Sequence, residues 1–264
     1  MRRIILLALL SLPVLATYAV ADDWTHTYQV GDKPSLRVET NDAGIEITRG
    51  QSRTISVYVM SDVINIGTGG VHILDHQNGD AVDLQVHMPH DHGFHLNWRS
   101  PNVRIEVQVP QETTLDLHSG DGHIRVDGTS GGAKLDTSDG HIEVRDFNGA
   151  LRAHTSDGHM TIDGVFTDLE LRTGDGHVNF TARPGSKMSS AWLIRTSDGR
   201  VEARLPQDLA AELYAHTGDG HITLDFPVTV SGSIERSRIR GTLNGGGPLL
   251  EISTGDGGIR IAKY

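Results

Sequence analysis

The stretch LDTSDGHIEV, residues 135–144, is one copy of a motif that returns down most of the chain. The first clear copy is Ser119-Gly120-Asp121-Gly122-His123-Ile124, and others occupy 137–142, 155–160, 173–178, 196–201, 217–222 and 254–259. A degraded copy, Thr40-Asn41-Asp42-Ala43-Gly44-Ile45, lies near the start. The aspartates fall at 121, 139, 157 and 175, three steps of 18; later steps are 23, 21 and then 37, which reads as two periods with one corner lost. A supersecondary unit repeated at a fixed period predicts a stacked array, because one such unit cannot bury its apolar face alone.

Each unit alternates as a strand does on both sides of Asp-Gly. Leu135, Thr137, Ile142 and Val144 share one parity, and Asp136, His141, Glu143 and Arg145 share the other. Two short strands and two tight corners per repeat predict an all-β, elongated β-solenoid, a flattened β-helix or β-roll of about 18-residue coils with Asp-Gly corners. A rival has the same parity. Asp-Gly between alternating apolar residues is also a hairpin signal, and hairpins in series would make a meander or barrel. Outward charges favour the solenoid. Stacked in register, the columns Asp127, Arg145, Asp163, Thr181, Arg204, Asp225 and Asp116, Lys134, Arg152, Glu170 rarely set like charges together.

Residues 22–264 read as a single β-solenoid domain, with less regular coils and a cap over 22–110 and regular repeats over 111–264. The stretches VPQETTLDLHSGDGHI (109–124) and LPQDLAAELYAHTGDGHI (205–222) repeat one larger design. Residues 1–21 read as a signal peptide: Arg2 and Arg3 precede an apolar run, and Ala19-Val20-Ala21 forms a cleavage site before Asp22. The run is short for an uncleaved anchor, which needs about 20 apolar residues. Export to the periplasm or the cell surface is therefore expected. The chain has no cysteine, so its fold must stand without disulfides. Without residues 1–21 it carries 21 basic and 34 acidic side chains, a net charge of −13, which argues against nucleic acid and anionic membranes as partners.

The export signal, the opening LRVETNDAGIEI, the Leu-Pro lead-in and the L-x-x-T-[SG]-D-G-x-I-x-V units resemble a bacterial family of β-strand-repeat proteins named as adhesins for their shape, with a domain otherwise of unknown function. The resemblance covers nearly all of residues 22–264. It implies a β-solenoid of the cell envelope and carries no catalytic motif. The flat acidic and histidine-rich ladder faces lead to the expectation of a non-enzymatic binding or structural module, with an envelope or surface protein or a glycan as partner.

At the corners, Gly122, Gly140, Gly158, Gly176, Gly199 and Gly220 are expected to adopt positive φ, and each preceding aspartate to hydrogen-bond its own turn. Cation binding by the aspartate column competes with this, although calcium-binding β-rolls space glycine and aspartate differently. His123, His141, His159 and His177 occupy one position in four consecutive coils, with His221 further on. Neighbouring imidazoles could share zinc or copper beside Asp139 or Asp157; otherwise they are a polar ladder copied with the repeat. His118, His154 and His216, five residues earlier in their units, are expected on the same outer surface. A second metal candidate is VHMPHDHGFHLNW, with His87, His90, His92 and His95 around Pro89 and Gly93; its alternative is a solvated loop. Catalysis finds no nucleophile elbow, zinc-protease helix or phosphate loop. A polysaccharide lyase or glycosidase on a β-helix would need long loops walling a groove, and these corners are short.

Overall fold

The computed structural model describes residues 22–62, 65–67, 69–89, 102–225, 229–230 and 235–264. These form 21 strands joined in one continuous sheet, with no helix among the described residues. The protein is all-β and solenoid-like. In the middle of the molecule, Ile124, Ile142, Met160 and Val178 are successive neighbours in parallel register, as are Leu117, Leu135, Ala153 and Leu171. The strands flanking a corner, Thr114–Ser119 and Ile124–Asp127, each pair with strands of other coils and not with one another. The Asp-Gly corner is therefore not a hairpin.

The alternation read from the sequence decides what is buried. Leu135, Thr137, Ile142 and Val144 face the interior, whereas Lys134, His141 and Arg145 are exposed. Opposite the Asp-Gly corners the wall is less regular. Ile142–Thr155 and Met160–Thr173 run unbroken around that side, with register shifts between Val144 and Phe147 and between Gly149 and Ala150. The section there holds the large rings: Trp192 meets Phe166 and Phe180 edge-on at 6.4 and 5.9 Å, and its indole N–H donates to the Thr167 carbonyl at 3.2 Å.

At both ends the order of coils in space departs from the order in the chain. Ser35–Thr40 lies between Ala81–His87 and Thr114–Ser119, while Gly44–Arg49 lies between Val103–Val109 and Ile124–Asp127. At the other end, Leu249–Thr254 lies between Trp192–Thr196 and Ala211–Thr217, and Ile259–Lys263 between Val201–Leu205 and Ile222–Asp225. The long step from Asp219 to Asp256 is thus a detour of the chain and not a lost corner, since the corner of Asp256 sits between those of Asp198 and Asp219. Likewise Ala262 separates Arg204 from Asp225 in the outward column.

The physical reason is that an outermost coil leaves one ladder of backbone groups unpaired. With the terminal coil tucked inward, the outermost position falls to a segment held by chain on both sides. Antiparallel strands extend the stack beyond it: Asp22–Gln29 on Thr54–Ser61, Thr54–Ser61 on Val103–Val109, His72–Asn78 on Ala81–His87, and Arg238–Leu243 on Ala211–Thr217.

Candidate functional site: the corner ladder

Each corner is built from an inward hydroxyl. Thr137 Oγ1 accepts from the Gly140 N–H at 3.2 Å and reaches the carbonyls of Gly120 and Gly122 in the neighbouring coil at 2.9 and 3.1 Å. Thr155, Thr173, Thr196, Thr217 and Thr254 repeat this bridge, and Ser119 supplies the hydroxyl in the first full copy. These hydroxyls are buried, where an unpaired polar group is costly, so each bridge holds a corner together and ties it to the next coil. Alternation places these threonines inward but does not reveal the bridge. The signal was the hydroxyl three residues before every corner glycine, kept even where serine replaces threonine.

The corner glycines do not have the positive φ expected of them. They are required for space. A Cβ on Gly140 would stand 2.1 Å from the carbonyl oxygen of Gly122, and those on Gly158, Gly176 and Gly199 would stand 1.8–1.9 Å from the carbonyl of the preceding corner. The aspartates do not brace the turn either. Among the described residues, Asp121, Asp139, Asp157 and Asp175 have no side-chain hydrogen bond or ion pair, and all four are exposed. The threonine hydroxyl takes the role assigned to them because it lies beneath the corner, where the amide points.

His123, His141, His159 and His177 come together as one stack. Their ring centroids are 5.0, 5.1 and 5.0 Å apart, with planes within 6°. The backbone N–H of His141 donates to Nδ1 of His123 at 3.1 Å, that of His159 to His141 at 3.1 Å, that of His177 to His159 at 3.0 Å, and that of Arg200 to His177 at 3.0 Å. An Nδ1 that accepts carries no proton, so each neutral ring holds its proton on Nε2, toward solvent. Burial in the stack, followed by the neighbouring His123 and His159, pushes the His141 pKa below 6.5.

The stack spacing bears on the metal candidates. An ion about 2.0–2.1 Å from each of two nitrogens spans at most about 4.2 Å. Parallel rings with centroids 5.0–5.1 Å apart hold their Nε2 atoms at a similar separation, so sharing one ion would require rings to turn out of the stack. His221 continues the column beyond Gly258, and Arg200 and Gly258 interrupt it. His118 and His154 lie on the strands entering the corner, on either side of Asp136, with His118 Nδ1 3.5 Å from its carboxylate; His216 bonds the Ser237 carbonyl at 3.1 Å. None of the three joins the ladder. His87 ends a strand, exposed and opposite His72, while His90, His92 and His95 lie outside the described residues.

No curated protein matches the sequence. Solved structures that the chain is similar to include a candidate cell adhesion protein from Clostridium sporogenes, at 11% identity, covering 92% of this chain and 100% of that one with a TM-score of 0.41. A candidate adhesin from Bacteroides fragilis is 8% identical, covers 92% and 97% of the two chains and has a TM-score of 0.41. A candidate lipid binding protein from Parabacteroides distasonis is 12% identical, covers 91% and 96% and has a TM-score of 0.32. The family model described as Toastrack DUF4097 matches residues 33–190 and again 111–262. With its repeated hydroxyl-bridged corners spanned by both matches, the chain belongs to the Toastrack DUF4097 family.

Proposed function

We propose that this protein is an exported, non-enzymatic module of the bacterial cell envelope that binds through its flat, repeating surface in the manner of an adhesin. Its body is an elongated, flattened β-solenoid of residues 22–264, and its repeating unit is the 18-residue coil of the central region. The observation that carries this reading is the histidine ladder: four exposed imidazoles at an even spacing of 5.0–5.1 Å, held by backbone hydrogen bonds. A surface of identical, rigid, outward groups suits recognition of an extended or repetitive partner, because ordering it costs no further side-chain entropy. Residues 1–21 have the character of a cleaved signal and support export.

The test is fractionation of cells expressing the chain, with mass spectrometry of the recovered protein, followed by binding of that protein to washed envelopes. The expected result is an N-terminus at Asp22, recovery outside the cytoplasm and saturable envelope binding. Cytoplasmic recovery with Met1 intact, or no binding to envelopes, would overturn the proposal.

A further inference from the structure

The geometry points to an uncharged, extended β-1,4-linked glycan as the ligand of the corner ladder, lying along the solenoid with one sugar per coil. This inference rests on the binding-module reading above and names its ligand class.

The histidines provide a row of fixed donors. Because the next backbone N–H occupies each Nδ1, the outward Nε2 carries the proton, so the strip presents one N–H every 5.0–5.1 Å along four coils. The column two residues earlier provides acceptors at the same period: the exposed carboxylates of Asp121, Asp139, Asp157 and Asp175, which have no side-chain hydrogen bond or ion pair among the described residues. A ligand that satisfies both rows must donate and accept within each step, which a sugar hydroxyl does. In an extended chain of β-1,4-linked pyranoses each sugar advances by about one interstrand spacing, roughly 5 Å, and turns over relative to the last, so consecutive sugars keep register with consecutive coils and present opposite ring edges to them, each of which carries a hydroxyl. An α-linked chain that coils loses this register after one or two sugars. The uncompensated carboxylates set the charge preference, since an acidic glycan would place like charges beside them.

The experiment is titration calorimetry of the purified exported protein at pH 7.5 with cello-oligosaccharides and N-acetylated chito-oligosaccharides of two to six sugars. Malto-oligosaccharides and oligogalacturonates are run beside them. Binding of either β-1,4 series is expected, with affinity rising to about four sugars, one per stacked imidazole, and then levelling. Neither control series binds. The double variant His141→Asn and His159→Asn keeps an acceptor for the backbone N–H but replaces each outward Nε2–H with a shorter amide that does not reach a ligand held by the remaining imidazoles, and is expected to bind about tenfold more weakly with an unchanged melting temperature. No heat with any β-1,4 oligomer, affinity independent of length, equal binding of a control, or an unaffected double variant would each overturn the proposal. The envelope-binding assay is run on the same preparations: binding to envelopes without binding to any oligomer overturns only the glycan assignment, and loss of envelope binding by the unmodified protein overturns the broader reading.

Discussion

The middle of this protein and its two ends are made of the same coils but put together by different rules. Between residues 114 and 205 each coil lies on the one before it in the chain. At each end the stack skips from one coil to the next but one in the chain, and the space is filled by a segment from elsewhere in the chain, 35–49 at one end and 249–263 at the other. The contrast teaches that the ladder bonds do not need chain continuity. A coil fits wherever its hydroxyl, its glycine and its alternation match those of its neighbours. Sequence-adjacent stacking makes the middle modular, while interleaving makes each end depend on segments far apart in the chain.

The sharpest way to break this comparison is by deletion. Removing residues 249–264 takes out a coil that is paired on both sides, including Leu250, Ile252, Ile259 and Ile261, each at most 1% exposed. Burial of four such side chains contributes on the order of 6–12 kcal/mol, as much as the whole stability of many domains. Circular dichroism melts should show the cooperative transition lost or far lower. Removing residues 124–141, one central period, should instead leave a shorter, folded protein, because His123 is then joined to Ile142 with every ladder in register. If the second deletion also unfolds the protein, the middle is not modular.

Single substitutions sharpen the picture within a corner. Gly140→Ala forces a Cβ to within 2.1 Å of a backbone carbonyl that the stack holds in place, and should cost about 1–3 kcal/mol or more in chemical denaturation. The degraded first copy carries Ala43 in place of this glycine, fully buried. Thr137→Val keeps the shape but orphans the Gly140 amide and releases the carbonyls above it; a loss of about 1–3 kcal/mol is expected. An unchanged denaturation midpoint in Thr137→Val would show that packing alone holds the corner.

The smallest expected effect is that of pH on the histidine stack. The folded His141 pKa lies below 6.5, so as pH falls the unfolded chain binds the proton more readily than the folded one. The contribution is fully present above about 6.5 and is lost as pH falls through the histidine range. Thermal melts from pH 8 to pH 5 should show this decline, and His141→Asn should flatten it. An increase in stability on acidification would mean that the neighbouring carboxylates outweigh burial and ring repulsion.

Much of the fold was legible because period and parity are geometric. The 18-residue step and the alternation of Leu135 through Val144 identify inward positions without any knowledge of the partners. Hydrogen bonds between coils were not legible, because Thr137 and Gly140 meet Gly120 and Gly122 only once the stack exists. The same limit explains the misassigned roles at the corner: local turn chemistry suggested positive φ and an aspartate cap, whereas the constraint comes from the neighbouring coil. The order of the end coils was half legible. The paired stretches beginning VPQET and LPQDL were recognisable as one design repeated, and each proves to be the link that steps over the tucked coil, joining Val103–Val109 to Thr114–Ser119 and Val201–Leu205 to Ala211–Thr217. The histidine column was visible as a spacing, but its tautomer required the donated backbone N–H.

The tucked C-terminal coil has a mechanical consequence. A strand at the tip of a stack can be peeled, its hydrogen bonds opening one after another like a zip. Ile259–Lys263 is flanked by Val201–Leu205 on one side and Ile222–Asp225 on the other, both parallel to it. A pull on Tyr264 along that strand therefore loads two ladders at once and in shear, with all their bonds sharing the force. A load applied along this strand is thus met from within the wall of the stack and not at its tip.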